Sequence, residues 1–138
     1  MYVCILSCTA GTDFISPITS TNRRINRVVN VSNDISFEWR YKVANPKMTY
    51  SIVCGYPGIP LIRLENTYNQ TTTKDVSTDK FNVEVWSSTG NSTGKSKDNI
   101  IGIKLKNSAY TAAGELGCQM KYDMFPLDSI QFHLTVYG

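Results

Sequence analysis

Between residues 35 and 43, apolar and polar side chains change places at every step. Ile35, Phe37, Trp39, Tyr41 and Val43 share one register, and Ser36, Glu38, Arg40 and Lys42 share the other. Successive side chains of a strand point to opposite faces, so a strict period of two describes an extended segment with one buried and one wet face. Such a strand needs a second layer over its apolar side. The signature returns along the chain. Tyr50, Ile52 and Cys54 share a face, residues 81–86 (FNVEVW) alternate, and Ile130, Phe132, Leu134 and Val136 point one way. Thr, Ser, Asn, Val, Ile and Tyr dominate over Ala, Glu and Leu, a bias toward strands and turns.

Taken in order, residues 12–31 form an extended edge segment that Pro17 breaks, as expected of a first strand that changes sheets at a kink. Arg23, Arg24 and Arg27 read as a solvated basic loop or edge, and a strand runs within residues 28–43. Ala44-Asn45-Pro46-Lys47 is a turn, followed by a strand over 48–56, a break at Gly55-Tyr56-Pro57-Gly58-Ile59-Pro60, and a short strand over 61–65. Residues 66–80 are polar and read as loop with room for one edge strand. A strand over 81–86 and a Gly/Ser-rich connection over 87–98 precede the apolar run 100–105. Then come a polar corner from Asn107 to Ala113, the run Gly114-Glu115-Leu116-Gly117-Cys118, and a strand with Cys118, Met120 and Tyr122 on one face. Residues 123–128 are a turn before the last strand, 129–137.

About nine short strands in this order imply an all-β, two-sheet Greek-key sandwich. The corner specifies it further. In immunoglobulin-like sandwiches this region reads roughly Asp-x-Gly-x-Tyr-x-Cys; here Gly114 and Cys118 hold the glycine and cysteine places. Ala112 replaces the Asp and Leu116 the Tyr, so the usual tyrosine corner is missing. The expected fold is the variable type, in one domain over residues 11–138, with a jelly roll or another sandwich as the structural alternative.

Residues 1–10 stand apart. Tyr2 to Ala10 resembles the apolar core and small-residue end of a secretion signal, though it is short and lacks a basic start. It reads as a signal remnant or an artificial edge; the other reading is a first strand with Cys4 and Cys8 paired or free. Discounting the remnant leaves Cys54 and Cys118, and two cysteines in a secreted domain normally pair. Closing so long a loop contributes roughly 4 kcal/mol in the chain-entropy model. The best register puts both cysteines on neighbouring strands of one sheet, a non-standard position that leaves the two sheets to be joined by packing, with Trp39 as the main filler. Acceptor tripeptides at Asn30, Asn69 and Asn91 suit a secreted glycoprotein. No apolar run approaches the ~20 residues that span a bilayer, so any membrane anchor lies outside these residues.

The words FEWRYKV, SIVCGYPG, FNVEVW and IIGIKLKNSAYTAAGELGCQM resemble the N-terminal immunoglobulin-like domains of the allorecognition receptors of the colonial hydroid Hydractinia. The resemblance runs from about Thr12 to Gly138. Those domains are variable-set sandwiches that lack the usual first-sheet cysteine and its tryptophan, as this chain does. The resemblance implies a polymorphic, membrane-anchored receptor at the cell surface, whose outermost domain binds the same allele's product on an opposing cell. It carries no individual binding residue across.

No catalytic constellation is visible. The single histidine, His133, falls mid-strand on the outer register without the partners a metal site or a triad needs. Gly90 to Gly94 opens no helix, and Asp123 and Asp128 flank a turn, so no metal or cofactor is expected. The net charge of +3 is scattered rather than gathered in a stripe, which argues against nucleic acid. Binding to protein is the remaining function. The alternation turns Ser51, Val53, Arg63, Glu65, Gln119, Lys121, Gln131 and His133 outward on one sheet. Opposite charges there would let two copies pair across a two-fold axis. A heterophilic or soluble immune-modulating module, viral or secreted, and a carbohydrate-binding sandwich are the competing classes.

Overall fold

Ten strands and one 3-10 turn account for the ordered elements of the computed structural model, which describes residues 13–16, 24–43, 48–67, 70–75, 80–88 and 99–138. The signal-like residues 1–10, Cys4, Cys8, Asn69 and Asn91 lie outside the described residues. The strands are β1 (Asp13–Ser16), β2 (Arg24–Asn30), β3 (Ile35–Lys42), β4 (Tyr50–Tyr56), β5 (Ile59–Thr67), β6 (Gln70–Asp75), β7 (Val83–Ser88), β8 (Asn99–Leu105), β9 (Gly114–Tyr122) and β10 (Phe125–Tyr137). One sheet has the order β1-β3-β8-β7 and the other β2-β10-β9-β4-β5-β6. The expected change of sheet on either side of Pro17 is present, since β1 pairs with β3 and β2 with β10.

Three segments refine the sequence reading. Of the two readings of the basic segment, loop or edge, the edge holds: residues 24–30 form a separate edge strand, distinct from β3, running parallel to β10. Its inward register is Ile25, Arg27 and Val29, and Arg27 hides the pattern. The Arg27 guanidinium lies 5.1 Å from the Phe37 ring centre and 5.7 Å from that of Phe132, and Nη1 donates to the Ser36 carbonyl at 3.1 Å. A long aliphatic stem lets an arginine cover apolar rings while its head stays wet. β5 runs on to Thr67 instead of ending at 65, and β6 (Gln70–Asp75) is the edge strand for which the polar segment left room. The last turn is also tighter: β10 begins at Phe125, opposite Tyr122, with Asp123 at φ 53° in the hairpin.

The alternation across residues 35–42 is fully realised, with every inward side chain of β3 buried and every outward one exposed. Trp39 is fully buried, with ring-centre distances of 5.4 Å to Phe132 and 6.3 Å to Phe37. Phe132 belongs to the opposite sheet, so this aromatic group joins the layers. Tyr41 and Tyr50 extend it, with rings 6.0 Å apart and hydroxyls at 3.4 Å. Burial raises both hydroxyls above the ordinary tyrosine value.

Cys54 and Cys118 are disulfide-bonded register partners on β4 and β9, with Cα atoms 4.0 Å apart. The bond staples one sheet internally, as expected. The missing tyrosine corner has a substitute. Tyr56, at the end of β4, donates its hydroxyl to the Ala112 carbonyl at 2.6 Å and stacks on Phe81 at 4.6 Å. It thereby ties the turn at Tyr110–Ala112, which leads into β9, to the neighbouring strand β4.

These two ties have measurable weight. Tyr56→Phe keeps the stacking but orphans the Ala112 carbonyl, and should cost about 1 kcal/mol in chemical denaturation. Replacing Cys54 and Cys118 together by Ala should lower stability by roughly 4 kcal/mol, and peptide mapping of the unreduced protein should recover the two cysteines linked.

Candidate functional site

The six-stranded sheet turns its outer face to solvent, and the strand registers fix which side chains share each row. Ser51 is paired with Lys121 on one side and Glu65 on the other. In the next row Val53 lies between Gln119 and Arg63, and Ser129 is paired with Gln119. Gln131 is paired with Gly117, and His133 with Glu115. All eight outward residues expected from the sequence therefore lie on one face. Ser51, Val53 and His133 are half-buried by their neighbours and the other five are exposed.

The first two rows surround a shallow concavity of about 310 Å³ bounded by Ser51, Val53, Arg63, Glu65, Gln119 and Lys121. Its charges are unspent: among the described residues Arg63, Glu65 and Lys121 form no ion pair. A wider, more open hollow of about 450 Å³ lies where Gly117 takes an outward position. A Cβ at Gly117 would lie 2.8 Å from both Gln131 Cγ and the Ile130 carbonyl oxygen, so only glycine leaves this surface open. Beyond the patch, at the turn between β9 and β10, Met124 is 85% exposed and Phe125 50%.

His133 is not a bare surface residue. Its Nδ1 lies 2.9 Å from Glu115 Oε1 and 3.0 Å from Arg24 Nη2, and Arg24 also pairs directly with that carboxylate oxygen. Parallel pairing of β2 with β10 brings Arg24 here, which is why a reading of residue 24 as a solvated loop or edge missed the cluster. The spacing of Ile25 and Val29 was the available signal. Burial acts to raise the Glu115 pKa, but hydrogen bonds from Arg24 and His133 outweigh it and hold the carboxyl below its ordinary range. Glu115 Oε2 is buried without a partner, beside the hollow.

Among the described residues no group of three His, Cys, Asp or Glu is placed to hold a metal ion. Asp128 instead anchors backbone, accepting from the Phe14 amide at 2.8 Å and the Ser129 amide at 2.9 Å. Of the large aromatic side chains, Trp39, Tyr41 and Tyr50 are committed to the core. Trp86 is not: it is half-buried, while Tyr110, Phe125 and Tyr137 are exposed. Trp86 lies outward on the four-stranded sheet over Gly102, where an added Cβ would meet its ring at 2.2 Å.

The solved structures with a similar fold are consistent in kind. A VGSC β subunit analysed for multimeric cell-adhesive interactions superposes with a TM-score of 0.64 at 17% identity, covering 88% of this chain and 98% of that one. The fold is an immunoglobulin-like sandwich of the variable type. The extracellular domain of the voltage-gated sodium channel β4 subunit, a parallel homodimer, matches this immunoglobulin-like domain with a TM-score of 0.60 at 15% identity over 88% of this chain and 98% of that. The first immunoglobulin domain of mouse SynCAM 2 gives 0.52 at 14% over 83% and 92%. No protein-family model matches the chain, and no curated protein matches it in sequence.

The lowered carboxyl of Glu115 sets a pH dependence. A depressed carboxylate stabilises the domain above its unfolded pKa, and that contribution disappears as pH falls through the folded value. Acid titration of the thermal midpoint should therefore show a decline below the ordinary carboxylate range that is shallower in Glu115→Gln.

Proposed function

We propose that this immunoglobulin-like domain is an extracellular cell–cell recognition module that binds a second copy of itself. In this reading the outer face of the six-stranded sheet is the contact surface, and the biological role is the allele-specific self/non-self recognition that the resemblance to Hydractinia allorecognition receptors implies. The observation that carries it is the patch of Arg63, Glu65 and Lys121, where both signs of charge stand uncompensated around small central side chains. A face with both signs can be complementary to itself, whereas a face of one sign repels its twin. Solved domains of the same fold described in terms of cell adhesion and homodimers support the reading. The domain would stand at the cell surface as part of a membrane receptor, with residues 1–10 as the trace of a secretion signal. A glycan at exposed Asn30 would sit on the edge strand β2, clear of the patch.

Fluorescent beads coated with the domain should coagulate with beads of the same kind, and sedimentation should show weak self-association. Lys121→Glu or Glu65→Lys should reduce both, while Glu38→Lys on the opposite sheet should leave them unchanged. Absence of self-association together with capture of a different protein would replace this reading by a heterophilic one. A glycan-array signal would favour the sugar-binding class.

A further inference from the structure

An interface register for this domain rests on the self-recognition proposed for it, which leaves open how the two copies are placed. Face-to-face packing of identical sheets requires a two-fold axis lying in the plane between them. An axis along β4 would set Lys121 against Glu65, but it leaves Arg63 facing only Gln119 and carries the Met124 turn away from the hollow over Gly117. An axis across the strands keeps strand upon like strand and reverses direction along them, and this is the case the residues favour.

The rows carrying Glu65 and Arg63 lie on either side of Leu64, which is paired with Ile52, itself paired with Met120. We infer that two copies meet about a two-fold axis crossing the strands over the row Met120–Ile52–Leu64, so that Arg63 of each faces Glu65 of the other. The same operation sets Lys121 against Gln119 and Ser51 against Val53. Each lone charge on β5 then meets one opposite charge, the contact occurs twice in the pair, and only small or uncharged side chains meet at the centre.

A second, independent match comes from Gly117 and Met124, which lie outside the charged patch. Gly117 lies three residues before Met120 and Met124 four after it. At about 3.3 Å per residue Gly117 stands roughly 10 Å from the axis, and the turn holding Met124, just past Tyr122, roughly 7–10 Å from it on the opposite side. The reversal therefore carries Met124 of one copy onto the hollow over Gly117 in the other. An exposed, flexible thioether and a concavity kept open by glycine are suited to each other. The tilt of about 30° usual between packed sheets leaves these pairings in reach.

This placement bears on function in two ways. The β10 strands of the two copies run in opposite directions, the relation that contact between opposed surfaces needs. The contact spans roughly 20 by 30 Å, or about 600 Å² per copy, against the ~800 Å² of a standard interface. Single contacts are therefore weak and depend on many copies at a junction.

Reciprocal charge exchange tests the register. Beads carrying R63E alone or E65R alone should each fail to coagulate, because each variant opposes like charges twice. Mixed together, they should coagulate about as well as the wild type, since both contacts are then restored. The double variant R63E/E65R should bind itself but not the wild type. Met124→Asp, at an exposed turn, should leave the thermal midpoint unchanged and weaken self-association roughly tenfold. Wild-type coagulation without rescue in the mixture would overturn this register while leaving self-recognition standing. Failure of the wild type to self-associate at all would overturn self-recognition itself. Unchanged association of Met124→Asp would remove the hollow from the interface.

Discussion

Cys54 and Cys118 face each other across β4 and β9, and their bond pins the register on which the outer face depends. A slip of one residue between strands would turn every side chain to the wrong side of the sheet. With this pair fixed, Ser51 must stand beside Lys121 and Val53 beside Gln119, and β5 and β10 take their places through their own pairings. The chemistry presented to solvent is thus set by a bond on the inner face.

Because the bond lies within one sheet, cohesion between sheets rests on packing. Phe37, Trp39 and Tyr41 project from β3 onto Tyr50 and Phe132 of the opposite layer, and Arg27 closes the edge where β2 borders β3. Tyr56 holds the turn before β9 by its hydroxyl, performing from the neighbouring strand what a tyrosine at position 116 performs in other domains of this fold. Leu116 is consequently free to be a fully buried core residue.

Legibility followed the apolar period. β3, β4 and β10 alternate cleanly, so their inward and outward sets, the disulfide and the eight residues of the outer face were readable from residue order. β2 escaped because Arg27 occupies a core-facing place that only its aliphatic stem suits. β6, QTTTKD, carries no apolar face at all; a polar edge strand looks like loop until the sheet beside it supplies its partners. The Arg24–Glu115–His133 cluster and the hollow over Gly117 were unreadable for another reason. Both arise between strands far apart in sequence, and local pattern does not encode which side chains cross that gap.

The proposed self-recognition reduces to one physical statement: two like faces of the six-stranded sheet, each bearing both signs of charge, are complementary. Dilution of isotope-labelled domain followed by NMR addresses it directly. Concentration-dependent shifts confined to Ser51, Val53, Arg63, Glu65, Gln119, Lys121 and the Met124 turn are the expected result. Shifts centred on β1, β3, β8 and β7, or none at any concentration, would contradict it.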